Sequence, residues 1–242
     1  MKKIFTLIAV AAMAISANAQ AYQLTVGETP AAGTKITSVA DIAMTYGATG
    51  DAAFKEIKAN GEGLKTVTGY NAKTDGNGVN PVDADGKGYD KGGSTPVKGT
   101  FYLFEPTQDG NLEVFIVCNA DKVFAILEDG TNIATSLEAI NLKAYDENGD
   151  AYTDITFEDG KFNNKVYGTV TFPVKANKKY HVFVAGSKLG FGGFTFTSAT
   201  GIESVKASVN TANGEVYNLA GQKVNANAKG LVIKNGKKMI QK

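Results

Sequence analysis

Leu112-Glu113-Val114-Phe115-Ile116-Val117-Cys118 is the stretch whose reading decides the fold. In extended chain, successive side chains point to opposite faces. Leu112, Val114, Ile116 and Cys118 then share one face, and Phe115 and Val117 the other. Both faces are apolar, as in a strand that is central to a sandwich. The same two-residue period extends outward. Val166, Val170, Phe172 and Val174 share a face opposite Thr169 and Thr171, and Pro173 marks an edge or a bulge. Tyr180, Val182 and Val184 alternate with His181, Phe183 and Ala185, and Phe194 and Phe196 with Thr195 and Thr197. Ile140, Leu142 and Ala144 alternate with Asn141 and Lys143, which predicts a half-exposed strand.

Turn signals punctuate these runs. Asp109-Gly110, Asp129-Gly130, Asn148-Gly149 and Asp159-Gly160 each follow one strand pattern and precede another. Asn-Gly and Asp-Gly suit the positive φ angles of tight hairpins. In the mature chain the best candidate helix is Asp51 to Lys58, one or two turns at most, and it reads equally well as a strand. Many short strands at this spacing predict an all-β fold, an antiparallel two-sheet jelly-roll sandwich, followed by a short C-terminal β-hairpin module.

Three segments follow. Lys2 and Lys3, the apolar run Ile4 to Ile15 and the small-residue site Ala17-Asn18-Ala19 have the order of a secretory leader. Residues 1–19 are therefore expected to be removed, leaving Gln20 first. A buried N-terminal helix is the alternative. Residues 20–198 make the sandwich, within which 71–98, rich in Asn, Asp and Gly, read as one long exposed loop. Residues 199–242 are a linker and a β-rich tail.

Composition excludes several chemistries. At 43% hydrophobic and 20% charged residues the chain is globular, not disordered. Its 25 basic and 24 acidic residues nearly cancel, and losing Lys2 and Lys3 leaves the mature chain slightly acidic. Neither nucleic acid nor an anionic membrane surface is an expected partner. The sequence contains no Arg, so it lacks the planar fork for bidentate phosphate or carboxylate recognition. With one His, a multi-histidine zinc site is excluded, and with one Cys, so is an intramolecular disulfide. Beyond the leader no stretch is apolar enough to predict a transmembrane segment.

The tail carries a resemblance. Glu215-Val216-Tyr217-Asn218-Leu219-Ala220-Gly221-Gln222-Lys223-Val224, followed by Lys229 to Lys242 (KGLVIKNGKKMIQK), resembles the C-terminal sorting tails of proteins exported by the type IX secretion system of Bacteroidota. The resemblance implies passage across the outer membrane, with the secretion machinery as partner, then surface attachment or release. Its alternative is that the Asn235-Gly236 hairpin completes the sandwich; a tail that is not a working signal would leave the protein in the periplasm. Gly99 to Pro106 with Asp109 to Leu112, and Tyr180 to Phe196 (YHVFVAGSKLGFGGFTF), resemble hairpin and closing strands of jelly-roll modules on secreted polysaccharide-degrading enzymes. This second resemblance implies a galactose-binding-like, carbohydrate-binding sandwich and carries no catalytic residue across.

The candidate ligand-binding residues are Tyr70, Asn77, Asn80, Tyr89, Lys188 and Phe191. Asp75, Asn77, Asn80, Asp83, Asp85 and Asp90 line a Gly-rich loop whose oxygens suit sugar hydroxyls or calcium; the plainer reading is a solvated turn-rich loop. Tyr70 and Tyr89 offer rings for a pyranose face. In Gly186 to Gly193 a tight hairpin is expected, with Phe191 exposed at its tip beside Lys188. Asp146, Asn148, Asp150 and Asp154 match an EF-hand spacing, but Ala151 and Phe157 stand where Gly and Glu are needed, so a hairpin is the better reading. His181 lies in an apolar run and reads as a hydrogen-bonded structural residue. Glu105, Glu113, Glu128 and Glu158 sit near strands, with nothing to single out a hydrolytic pair. No catalytic or metal-ligating residue is assigned. The expected function is glycan binding by a secreted, non-catalytic protein; a glycan hydrolase or lyase, or an adhesive surface protein, are the alternatives.

Overall fold

The computed structural model describes residues 19–77, 99–185 and 187–199, and the strand segments 216–217, 223–224, 230–234 and 237–241. The chain opens with β1 (Ala19–Gln23), β2 (Lys35–Ile36), β3 (Ile42–Thr49), β4 (Ala53–Phe54) and β5 (Lys58–Ala59). Helix α1 (Glu62–Thr68) and β6 (Ala72–Asn77) follow. Next come β7 (Gly99–Pro106), β8 (Gly110–Cys118), β9 (Val123–Glu128), β10 (Thr131–Asn132) and the short helix α2 (Leu137–Ile140). The sandwich finishes with β11 (Lys143–Tyr145), β12 (Phe157–Glu158), β13 (Lys161–Phe162), β14 (Val166–Val174), β15 (Tyr180–Ala185) and β16 (Gly190–Ser198).

These strands form two antiparallel sheets. One runs β11-β14-β8-β16-β6-β4, with β1 also on β16 and β5 on β6. The other runs β12-β13-β9-β15-β7-β3-β2, with β10 on β9. Successive strands alternate between sheets, β7 to β8 to β9 and again β14 to β15 to β16, and the first strand pairs with the last. That connectivity makes the sandwich a jelly roll. Residues 200–242 are a separate compact unit, with a four-stranded sheet ordered β18 (Lys223–Val224), β17 (Val216–Tyr217), β19 (Gly230–Lys234), β20 (Lys237–Gln241).

The alternation puts side chains where the pattern requires. Leu112, Val114, Ile116 and Cys118 enter the main core with Val166, Val170, Phe172, Phe194 and Phe196 from neighbouring strands. Phe124, Ile126, Tyr180, Val182 and Val184 face them from the second sheet. Phe115 and Val117 point the other way, into a smaller cluster with Leu64, Tyr70 and Tyr167 beneath α1. Outward from the second sheet, Phe101, Ala125, Leu127, Phe183 and Ala185 form a third cluster. Pro173 lies beyond the part of β14 that β11 covers, Tyr167 to Thr169, so its missing N–H costs no bond to β11.

Several local expectations are corrected. Asp129-Gly130 and Asp159-Gly160 do make hairpins, with positive φ at all four residues. Asp109-Gly110 does not: β7 and β8 belong to different sheets, and neither residue has positive φ. Asp109 instead turns its carboxylate to Ala176 N (2.9 Å) and Lys175 Nζ (2.9 Å). β15 and β16 likewise belong to different sheets and do not form a hairpin. Ile140 ends helix α2, capped by Ser136 at its start, and only Lys143 to Tyr145 is strand. Asp51 to Lys58 holds β4 and the start of β5, while the longer helix lies at Glu62–Thr68. The expected loop 71–98 begins with β6, a strand inside the first sheet.

Candidate functional site

Neither of the two aromatic candidates among the described residues lies open at the surface. Phe191 is fully buried, stacked on Tyr102 at 4.3 Å between ring centroids and edge-on to Tyr46 at 6.0 Å. Its displacement inward follows from a bulge between Phe191 and Gly193 that resets the alternation of β16. Tyr70 is buried under α1 against Phe115, and its hydroxyl meets Glu113 Oε1 (3.3 Å) and Thr195 Oγ1 (3.1 Å). Lys188 is half-buried and paired with Asp75 Oδ2 at 3.2 Å, so this carboxylate serves an ion pair. Asn77 ends β6 opposite Ala53. Asn80 and Tyr89 lie outside the described residues, as do Asp83, Asp85 and Asp90. Tyr70, Lys188 and Phe191 therefore do not make one groove.

Most remaining candidates hold structural positions, while Glu158 lines a surface cleft with Asp121 and Asp159. Asp146 Oδ1 accepts from Asn148 N (2.8 Å) and Asp150 N (2.9 Å), folding its own turn, which Gly149 completes at φ 95. These bonds, the Asp150 amide first, hold the Asp146 carboxyl below the usual range. Among the described residues no group of three or more His, Cys, Asp or Glu could hold a metal ion. His181 is buried beside Phe101 (ring centroids 5.3 Å), and its Nδ1 has no hydrogen-bond partner, contrary to the expected bonded ring. Glu105 pairs with Lys35 (3.0 Å), Glu113 meets the Tyr70 phenol, and Glu128 accepts from the Tyr180 phenol (3.1 Å). These three glutamates are thus engaged separately.

Among the described residues, two surface clefts stand out. One of about 240 Å³ is lined by Asp121, Thr156, Glu158, Asp159, Lys161, Phe162 and Asn163, at the β12–β13 end of the second sheet. The other, of about 350 Å³, lies on the outer side of the first sheet. Its wall is Ala59, Asn60, Gly61 and Leu64 from β5 and the start of α1, with Lys73 from β6, Glu147 and Asn148 from the Asp146 turn, and Tyr167 from β14.

The larger cleft is built by close packing. Gly63 of α1 lies so near the Asn148 carbonyl that a Cβ there would collide with it, and a Cβ on Gly149 would collide, less severely, with the backbone of Gly63 and Leu64. Only glycines permit helix and turn to meet at this distance. Asn60 is fixed by its Nδ2, which donates to Tyr70 O (2.9 Å), while its Oδ1 has no hydrogen-bond partner. Tyr167, itself buried, forms the floor. Lys165 Nζ lies 4.7 Å from its ring centroid and 2.6 Å from its hydroxyl, and Lys73 Nζ lies 5.9 Å from the same ring. The cleft thus collects two amides, a carboxylate and the Lys73 ammonium around an aromatic floor, with the Lys165 ammonium against the same ring. No family model matches the chain, and no curated protein is significantly similar to it.

Of the residues lining this cleft, the sequence had singled out Asn148 alone, for its place in the EF-hand-like spacing and its Asn-Gly turn. Tyr167 was legible only as a member of a strand. Asn60, Lys73, Asn148 and Tyr167 come from four separate segments, and their meeting depends on a helix that the residue pattern did not announce.

Proposed function

We propose that this protein is exported and non-catalytic, and that it binds an extracellular glycan in the cleft floored by Tyr167. The observation that carries the reading is the lining of that cleft: Asn60, Lys73, Glu147 and Asn148 around one aromatic ring, in a volume of about 350 Å³. Amides donate and accept, a carboxylate accepts, and an ammonium donates, which is the complement that a polyhydroxylated ligand requires. Glu147 is the one carboxyl group lining this cleft, which favours binding over hydrolysis there, since glycoside cleavage needs two carboxyl groups flanking one bond. A glycan array probed with the full mature chain tests the reading. We expect selective hits that weaken at least tenfold on Asn148→Ala or Glu147→Ala, with little change in Tm. An array without hits would refute it.

The order of Lys2-Lys3, the apolar run and Ala17-Asn18-Ala19 supports removal of a leader, and the tail motif supports a sorting role for residues 199–242. In this reading the protein ends outside the cell or on the outer-membrane surface, with the tail as its contact to the secretion machinery. A reporter fused to residues 202–242 in a type IX-competent host should reach the surface or the medium. Its retention in the periplasm would count against the sorting role.

A further inference from the structure

We propose that the saccharide taken by this cleft is anionic, its carboxylate or sulfate seated on Lys73 and Lys165 beside Tyr167. The proposal rests on the glycan-binding reading and narrows it to a ligand class. Lys35, Lys65, Lys175, Lys178, Lys179 and Lys188 each have a carboxylate within 4.0 Å. Among the described residues Lys73 and Lys165 have none, as is also true of Lys55, Lys122, Lys143 and Lys161; what sets Lys73 and Lys165 apart is that both ammoniums gather on the Tyr167 ring. Lys58 stands directly opposite Lys73 in the β5–β6 ladder and has no ion pair either. Like charges placed opposite each other across strands oppose folding.

An aromatic ring attracts a cation without neutralising it. Lys73 therefore lines the cleft, and Lys165 stands on the same Tyr167 ring, in a chain otherwise close to charge-balanced; Glu147 is the one acidic side chain in the lining. An anionic group bound there would relieve the repulsion that folding leaves in place. Because lysine is a point charge and not a planar fork, the anion is held by charge. Choice of sugar then falls to the hydrogen bonds of Asn60, Asn148 and Glu147.

The experiment is an array that carries neutral glucans, uronate oligosaccharides and sulfated oligosaccharides, probed with the full mature chain at low and high salt. We expect hits among the acidic members only, with uronate against sulfate hits identifying which anion is held. Affinity should fall at least tenfold between 50 and about 500 mM NaCl, and at least fivefold on Lys73→Gln or Lys165→Gln. Lys178→Gln, outside the cleft, should leave affinity unchanged. Neutral hits of equal strength, or binding indifferent to both cleft lysines, would overturn the anionic assignment and leave the glycan reading standing. Loss on Lys178→Gln equal to that on Lys73→Gln would show diffuse charge attraction and overturn it too. No hits of either kind would overturn both.

Discussion

The chain has one histidine, and its burial gives the pH response of the fold a single author among imidazoles. Desolvation, reinforced by nearby Lys179, pushes the His181 pKa down to about 4, from an ordinary value near 6.5. The folded form keeps this ring neutral while the unfolded chain takes up a proton below about pH 6.5. Stability is therefore fully present above that pH and is lost as pH falls toward 4. The loss should reach about 2 kcal/mol by pH 5. Urea titrations at pH 7 and pH 5 should show it, and His181→Phe should remove most of the difference. Phe191 gives a second test at this scale. As a fully buried ring stacked on Tyr102, its replacement by Ala should cost about 3–5 kcal/mol in chemical denaturation. A surface contact residue would lose ligand and leave stability almost untouched.

At the scale of elements, the strands were legible because their alternation survives folding: β8, β14 and β15 put the expected residues into the core. Which sheet a strand joins was not legible. Alternation marks a face, and Asp109-Gly110 reads the same whether the chain turns back beside itself or crosses the sandwich. Phe191 was misplaced for a related reason: the Gly-rich run read as a hairpin tip, whereas Gly190–Ser198 is already strand and β15 and β16 lie in different sheets. Helix α1 was hidden because it is seven residues long, buries only Leu64 and Thr68, and starts at Gly61 without a side-chain cap. Two aspartates clamp the β14–β15 crossing, Asp109 from the β7–β8 connection and Asp129 from the β9–β10 turn. Asp109 binds Ala176 N and Lys175, and Asp129 binds Lys179 N (3.0 Å) and Lys178 Nζ (2.7 Å). These bonds lower both carboxyl pKa values, so their contribution is present above the carboxylate range and lost as pH falls below it. Asp109→Ala with Asp129→Ala should lower Tm by several degrees at pH 7 and by much less at pH 3. Gly63→Ala tests the cleft wall. The new methyl group meets the Asn148 carbonyl, so stability should drop by about 1–3 kcal/mol and ligand binding should fall with it.

At the scale of the whole molecule, the fold stands on its core and its ladders without covalent staples. The lone Cys118 is buried, and desolvation pushes its thiol up to about 12. Dithiothreitol should leave Tm unchanged. Residues 200–242 pair their strands among themselves, so a chain ending at residue 199 is expected to melt close to the full-length protein; a much lower Tm would favour the tail as part of the sandwich. The pairing of β1 with β16 has a further consequence in time. Tyr22 sits opposite Phe194, so the first and last strands of the domain meet only after nearly its whole length has been made. Contacts this distant in sequence must be formed against the full entropy of the intervening chain, which slows folding. Early in synthesis β16 does not yet exist, and the partner edge for β1 is missing. Refolding followed by tyrosine fluorescence should accordingly be slow for a domain of this size, and removing β1 should speed unfolding more than it slows the formation of the β8–β14 ladder.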